Sequence, residues 1–123
     1  SAWMKSNGQM LEGGRLKDEC RGAWARYFVR FAQAFAAEDL PLWGMTVQNE
    51  AEANAKWESC LYTPEEERDF IRDYLGPALQ DAPSVDTSDG ARGPRLIFWD
   101  HNRAGIGDRA QIVYGDRDAE RFV

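Results

Sequence analysis

The sequence predicts an α/β fold of the (β/α)8 type, and three observations carry that expectation. Two apolar runs of strand length, Leu42 to Val47 and Leu96 to Trp99, each end abruptly in polar groups. Segments with helical spacing of apolar residues stand before, between and after them. The composition, 43% hydrophobic and 12% aromatic over 123 residues, suits a single globular unit. A complete (β/α)8 barrel takes roughly 250 residues, so this length supplies about half of one.

The elements follow in order. The first ~15 residues, with Gly8, Gly13 and Gly14, lack periodicity and read as a loop. Between Lys17 and Glu38, Trp24, Tyr27, Phe28, Phe31 and Phe35 recur at three- and four-residue steps, opposite Arg21, Arg26, Arg30 and Gln33. This predicts a helix whose aromatic stripe packs on a sheet. Asp39-Leu40-Pro41 breaks it, and Leu42 to Val47 is near-continuously apolar, as in a parallel strand buried on both faces. A second helix is announced by Thr63 as N-cap, Pro64 at the first helical position and Glu66 placed to close a capping box. Phe70, Ile71, Tyr74 and Leu75 anchor it, and Gly76-Pro77 should bend or end it. Asp81 to Pro94, rich in Asp, Ser, Gly and Pro, reads as a mobile surface loop. Leu96 to Trp99 forms the next buried strand, and the stretches Asp108 to Tyr114 and Asp116 to Val123 read as short helices.

Charge and residue counts exclude several function classes. A formal net charge of −6, a pI near 4.8 and the lack of a basic stripe argue against a nucleic-acid partner. No apolar run approaches the ~20 residues of a membrane span, so no transmembrane segment is expected. Ser1-Ala2-Trp3-Met4-Lys5 lacks the pattern of a secretory leader. Cys20 and Cys60 are too few for a disulfide framework and read as small buried apolar residues. With His101 as the single histidine, no His-based metal site is expected, and no cofactor is implied.

The sharpest functional signal is Thr46-Val47-Gln48-Asn49-Glu50, where a buried strand delivers an amide and a carboxylate at its carboxyl end. In (β/α)8 enzymes the active site lies at that end of the strands, so Asn49 and Glu50 read as chemistry. Asp100-His101-Asn102-Arg103 repeats the pattern after the second strand.

Four separated motifs, in order along nearly the whole chain, are together similar to glycoside hydrolase family 30, the glucosylceramidase-like family. They are Trp3-Met4-Lys5, Thr46 to Glu50, Thr63 to Ile71 with Leu75-Gly76-Pro77, and Trp99 to Arg103. The resemblance implies a retaining β-glycosidase on a TIM barrel, with this chain running from the end of strand 3 to the helix after strand 5. The remaining strands and an attached β-domain would lie outside it. The implied substrate is a β-glucoside or a glucosylceramide-like lipid, handled outside the cytoplasm in an extracellular, periplasmic or lysosomal setting.

Roles follow residue by residue. Glu50 matches the family's general acid/base, Asn49 the neighbouring amide that contacts the sugar, and Trp3 an aromatic wall of the sugar pocket. The chemistry agrees: one carboxyl group must protonate the departing oxygen and then activate water, while a second attacks the anomeric carbon. Asn49 can hydrogen-bond the 2-hydroxyl, and the Trp3 indole can stack on a sugar face. Asp100, His101 and Asn102 would orient substrate or support Glu50, with loop capping as the alternative. Trp57 and Tyr62 either line an aglycone groove or serve as packing. The family's proline after the acid/base is replaced here by Ala51, which loosens the backbone at Glu50. The nucleophile should come from strand 7, and none of Asp100, Glu52 or Glu58 matches it. Two rivals stand beside this reading: a family relative cutting β-1,6-glucan or xylan, and a small non-catalytic α/β binding module.

Overall fold

The computed structural model describes residues 1–123 except 84, 86, 88, 89 and 91. After 3-10 turns at Ala2–Met4 and Asp18–Cys20, the elements run α1 (Arg21–Ala37), β1 (Gly44–Thr46) and α2 (Pro64–Phe70). A π-helical turn (Ile71–Leu75) then leads into α3 (Gly76–Gln80), β2 (Arg95–Ile97), α4 (Ile106–Tyr114) and α5 (Arg117–Glu120). β1 and β2 pair in parallel, Gly44 opposite Arg95 and Thr46 opposite Ile97, and an isolated bridge between Asn49 and Asp100 continues the same register. With α2, the π-turn and α3 between the two strands, this is a βαβ unit, the repeating part of a (β/α)8 barrel.

Local chemistry sets the boundaries. α1 closes where Asp39 turns left-handed at φ 58° and the Leu40 N–H donates back to the Phe35 carbonyl at 3.0 Å. α2 opens on the capping box: Thr63 Oγ1 accepts from the Glu66 N–H at 3.2 Å, and Glu66 Oε2 accepts from the Thr63 N–H at 2.8 Å. Of the two outcomes expected at Gly76-Pro77, a bend or an end, the end does not occur: the chain stays helical through the π-turn and on to Gln80. The π-helical turn changes the hydrogen-bond spacing just ahead of Pro77, which has no N–H to donate, and the chain remains helical into α3. Gly76 is itself required, since a Cβ there would overlap the Phe122 ring just past α5 and come within 2.7 Å of the Ile71 carbonyl.

Phe70, Ile71 and Leu75 sit at the centre of the core at 0% exposure, with Tyr62, Leu79 and Leu96 around them. α1 packs on the π-turn and α3, and α4 packs on α2. The buried line of α1 is Ala25 and Ala32, flanked by the half-buried Phe28 and Val29, and not the aromatic stripe as a whole. Tyr27, Phe31 and Phe35 remain exposed and pair with their own helix neighbours, Trp24 on Tyr27 at 5.1 Å and Phe31 on Phe35 at 4.8 Å. The strands are likewise shorter than the apolar runs, and Ile97 is exposed, so burial on both faces does not hold for this chain alone.

The initial segment is tied down more than a plain loop, with Lys5 bridged to Leu16 and Leu11 to Glu58. The expected mobile surface loop between Asp81 and Pro94 falls partly outside the described residues; within it, Val85 and Thr87 are buried. Cys20 is buried and Cys60 half-buried, both as free thiols.

Candidate active site

Beyond Thr46 the chain of β1 runs through Val47, 2% exposed and packed in the core, and then leaves the sheet. Asn49 bridges Asp100, and the Glu50 N–H donates to the Asp100 carbonyl at 2.7 Å. Glu50 is half-buried and adopts a left-handed backbone at φ 49°; its carbonyl then accepts from the Ala53 N–H at 2.8 Å. A non-glycine residue in this region costs on the order of 1–3 kcal/mol and persists only where its surroundings hold it. A proline at position 51 would push residue 50 toward extended backbone. Ala51 leaves the left-handed turn open and buries its methyl group in the core at 1% exposure.

The end of β2 mirrors this. Trp99 is also left-handed, at φ 59°, and its ring is buried. The Trp99 Nε1–H donates to the Asn102 carbonyl at 2.7 Å, and a Cβ at Gly105 would stand 3.1 Å from the indole. Gly105 itself has φ 80° at the start of α4, so both backbone and space call for glycine there. His101 stacks on Trp99 at 5.0 Å and accepts the Asn102 N–H at Nδ1, 2.7 Å away. Asn102 Oδ1 accepts from the Ala104 N–H at 2.9 Å, which is loop capping.

Asn49, Glu50 and Asp100 thus meet at one end of the parallel pair. Trp3 is exposed, its carbonyl accepting from Lys17 Nζ at 2.9 Å; among the described residues no hydrogen bond or ring contact joins it to Asn49 or Glu50. Tyr62 is packing: it is buried, its ring lies 6.0 Å from Phe70, and burial pushes its phenol well above the ordinary range. Trp57 is exposed. Among the described residues no cluster of three or more His, Cys, Asp or Glu is placed to hold a metal ion, and no helix is long and apolar enough to cross a membrane.

A buried ion pair lies near this end, and the sequence does not announce its cation, Arg109. It is 1% exposed and pairs through Nη1 with Glu67 Oε2, itself at 0% exposure. Its Nη2 donates to the Tyr62 carbonyl at 2.8 Å and to Glu52 Oε1 at 3.0 Å, and the guanidinium lies 4.9 Å from the Trp99 ring centroid. Burial pushes the Glu67 carboxyl up, against the pull of Arg109. One signal was available: Arg109 stands four residues before the fully buried Val113, on the same face of α4.

The family model of the glycosyl hydrolase family 30 TIM-barrel domain matches residues 1–123. The lysosomal acid glucosylceramidase of Mus musculus is 33% identical over 98% of this chain and 24% of its own length. The crystal structure of SrfJ from Salmonella typhimurium superposes with a TM-score of 0.86 at 31% identity, covering 99% of this chain and 26% of that one. The endo-β1,6-glucanase BT3312 gives 0.79 at 26% identity, covering 99% and 28%. The chain therefore spans about a quarter of the length of the proteins it matches. A full-length match to the family's barrel domain, two parallel strands joined through helices, and polar loops gathered where both strands end agree on one assignment: this chain belongs to glycosyl hydrolase family 30 and forms part of its TIM barrel.

Proposed function

We propose that this chain is the part of a retaining β-glycosidase that carries the general acid/base, Glu50, and a sugar-binding amide, Asn49. The observation that carries the reading is the placement of Asn49 and Glu50 at the carboxyl end of β1, in register with Asp100 beyond β2. In the first step Glu50 gives its proton to the glycosidic oxygen as a carboxylate elsewhere in the barrel attacks the anomeric carbon. In the second, Glu50 takes a proton from water as that water releases the sugar. Asn49 holds the 2-hydroxyl, a contact that strengthens in the transition state, and Trp3 walls the sugar. β-Glucosides of the glucosylceramide type are the substrate class, supported by the 33% identity to a glucosylceramidase. The likeness to a β1,6-glucanase supports glucan as the second reading.

The test uses the full-length protein carrying this segment. Glu50→Ala is expected to cut kcat/KM by roughly 10²- to 10⁴-fold on β-glucosides with poor leaving groups and to spare activated ones, because only the former need a proton in the first step. Azide should restore turnover as a nucleophile that needs no general base, giving a β-glycosyl azide. Asn49→Ala should lower kcat/KM on every substrate alike, since its contact is to the sugar. The isolated 123-residue chain should hydrolyse nothing, because retention needs a second carboxyl group about 5–5.5 Å from the first. Uniform slowing by Glu50→Ala with no azide effect would remove Glu50 from the role.

A further inference from the structure

We propose that Arg109 is a positioning residue for Glu50, acting through both segments that flank the carboxylate. The inference rests on the acid/base reading of Glu50 and extends it.

A buried guanidinium is a costly way to fill a core, since a pair such as Arg109–Glu67 adds little stability over apolar residues of the same volume. What it supplies is geometry. Arg109 donates to the Tyr62 carbonyl, and the Tyr62 N–H donates to the Ala51 carbonyl at 2.9 Å, next to Glu50. It also reaches Glu52, two residues after Glu50. On its other side it lies against the Trp99 ring, and Trp99 directly precedes Asp100, whose carbonyl receives the Glu50 N–H. Glu67 on α2 fixes the guanidinium from below. Only the planar fork of arginine spans these partners at once, and lysine cannot. Glu50 sits in a left-handed conformation, which lasts only if its neighbours are held. Arg109 holds them from the β1 side and the β2 side together.

The experiment compares phenyl β-glucoside, which needs a proton on departure, with 2,4-dinitrophenyl β-glucoside, which does not, using the full-length protein and its Arg109→Met, Arg109→Lys and Glu52→Gln variants. A carboxyl group displaced by about 1 Å can lose on the order of 100-fold in rate. Arg109→Met should therefore lower kcat/KM, which reports the first step alone, by about 10- to 100-fold on the phenyl glucoside and leave kcat/KM on the dinitrophenyl substrate nearly unchanged. Arg109→Lys should recover part of the loss. Glu52→Gln, at an exposed side chain that leaves the core intact, should show a smaller loss with the same selectivity. A merely structural role lowers the active fraction and so slows both substrates equally; that outcome, or no loss at all, overturns the proposal. If Arg109→Met does not fold, the lysine and Glu52 variants are judged by the same criterion. Glu50→Ala run in parallel separates the two claims: without the leaving-group signature there, the acid/base reading fails, and with it there but absent from the Arg109 and Glu52 variants, this inference alone fails.

Discussion

The two sides of the molecule bury their aromatic and aliphatic residues to opposite extents. Where α2, the π-turn and α4 meet, Phe70, Ile71, Leu75 and Val113 are at 0% exposure, and even charged groups are enclosed. Along α1 and β1, Tyr27 is 58% exposed, Phe31 44% and Trp43 57%. The hydrophobicity of the two regions is similar; what differs is the presence of a facing element. In a (β/α)8 barrel each strand pairs on both edges and each helix packs between neighbours. Here, among the described residues, β1 pairs on one edge only, and an open groove of about 260 Å³ lies between α1 and β1, lined by Trp24, Phe28 and Met45 among others. One side is a finished core. The other is an apolar surface shaped for the rest of a barrel.

The largest expected effect lies in the finished core. Phe70→Ala removes a fully buried ring that contacts both Tyr62 and Tyr74, and should cost about 3–5 kcal/mol. In a chain this small that is most of the stability, so the urea transition followed by helical circular dichroism should lose its cooperativity. A cost under ~1 kcal/mol would show that this region is as loose as the other and would dissolve the contrast.

Legibility in the sequence follows the same divide between local and long-range causes. The capping box at Thr63, the stop at Asp39 and the strand ends at Asn49 and Asp100 depend on neighbouring residues, and a linear reading found them. That the chain stays helical through Gly76-Pro77 is not legible, because the π-turn ahead of it involves the long-range packing of Ile71 and Leu75. The α1 stripe reads as core in the sequence because periodicity reports which face is apolar, not whether a partner covers it. Arg109 is hard to read because a charged residue in a short helix reads as solvated; its place four residues before Val113 hints at burial, and its contacts with Trp99 and with Glu67, 42 residues away, reveal it. For the proposed site residues, the placement of Asn49, Glu50 and Asp100 beyond the strand ends is legible, whereas the left-handed backbone at Glu50 is not.

A middle-sized effect sharpens the contrast at the edge of the closed region. Thr63→Ala removes the side-chain acceptor of the capping box and leaves the Glu66 N–H without its partner. The expected cost is about 1 kcal/mol, within the usual 0.5–2 for such caps. It should be read in the same urea titration, with Thr63→Ser as the control that restores the acceptor. A loss shared by Thr63→Ser would point to the threonine methyl group and not the cap.

The smallest effect on the isolated chain tests the open side directly. Phe31 touches Phe35 on its own helix, is not part of the buried cluster, and spends its exposed surface in water. Phe31→Gln should therefore change stability of the isolated chain by no more than about 0.5 kcal/mol. It should also raise solubility, because an uncovered aromatic surface and an unpaired strand edge promote association. In the full-length protein the same substitution meets a different environment if barrel elements cover α1. There it should cost about 1.5–3 kcal/mol, the value of burying such a ring. Melting both proteins with and without the substitution gives the comparison as a difference of differences, free of the stability of either parent. A cost of similar size in both would mean that α1 completes its packing within this chain, and the open side would be an ordinary surface and not a face awaiting its neighbours.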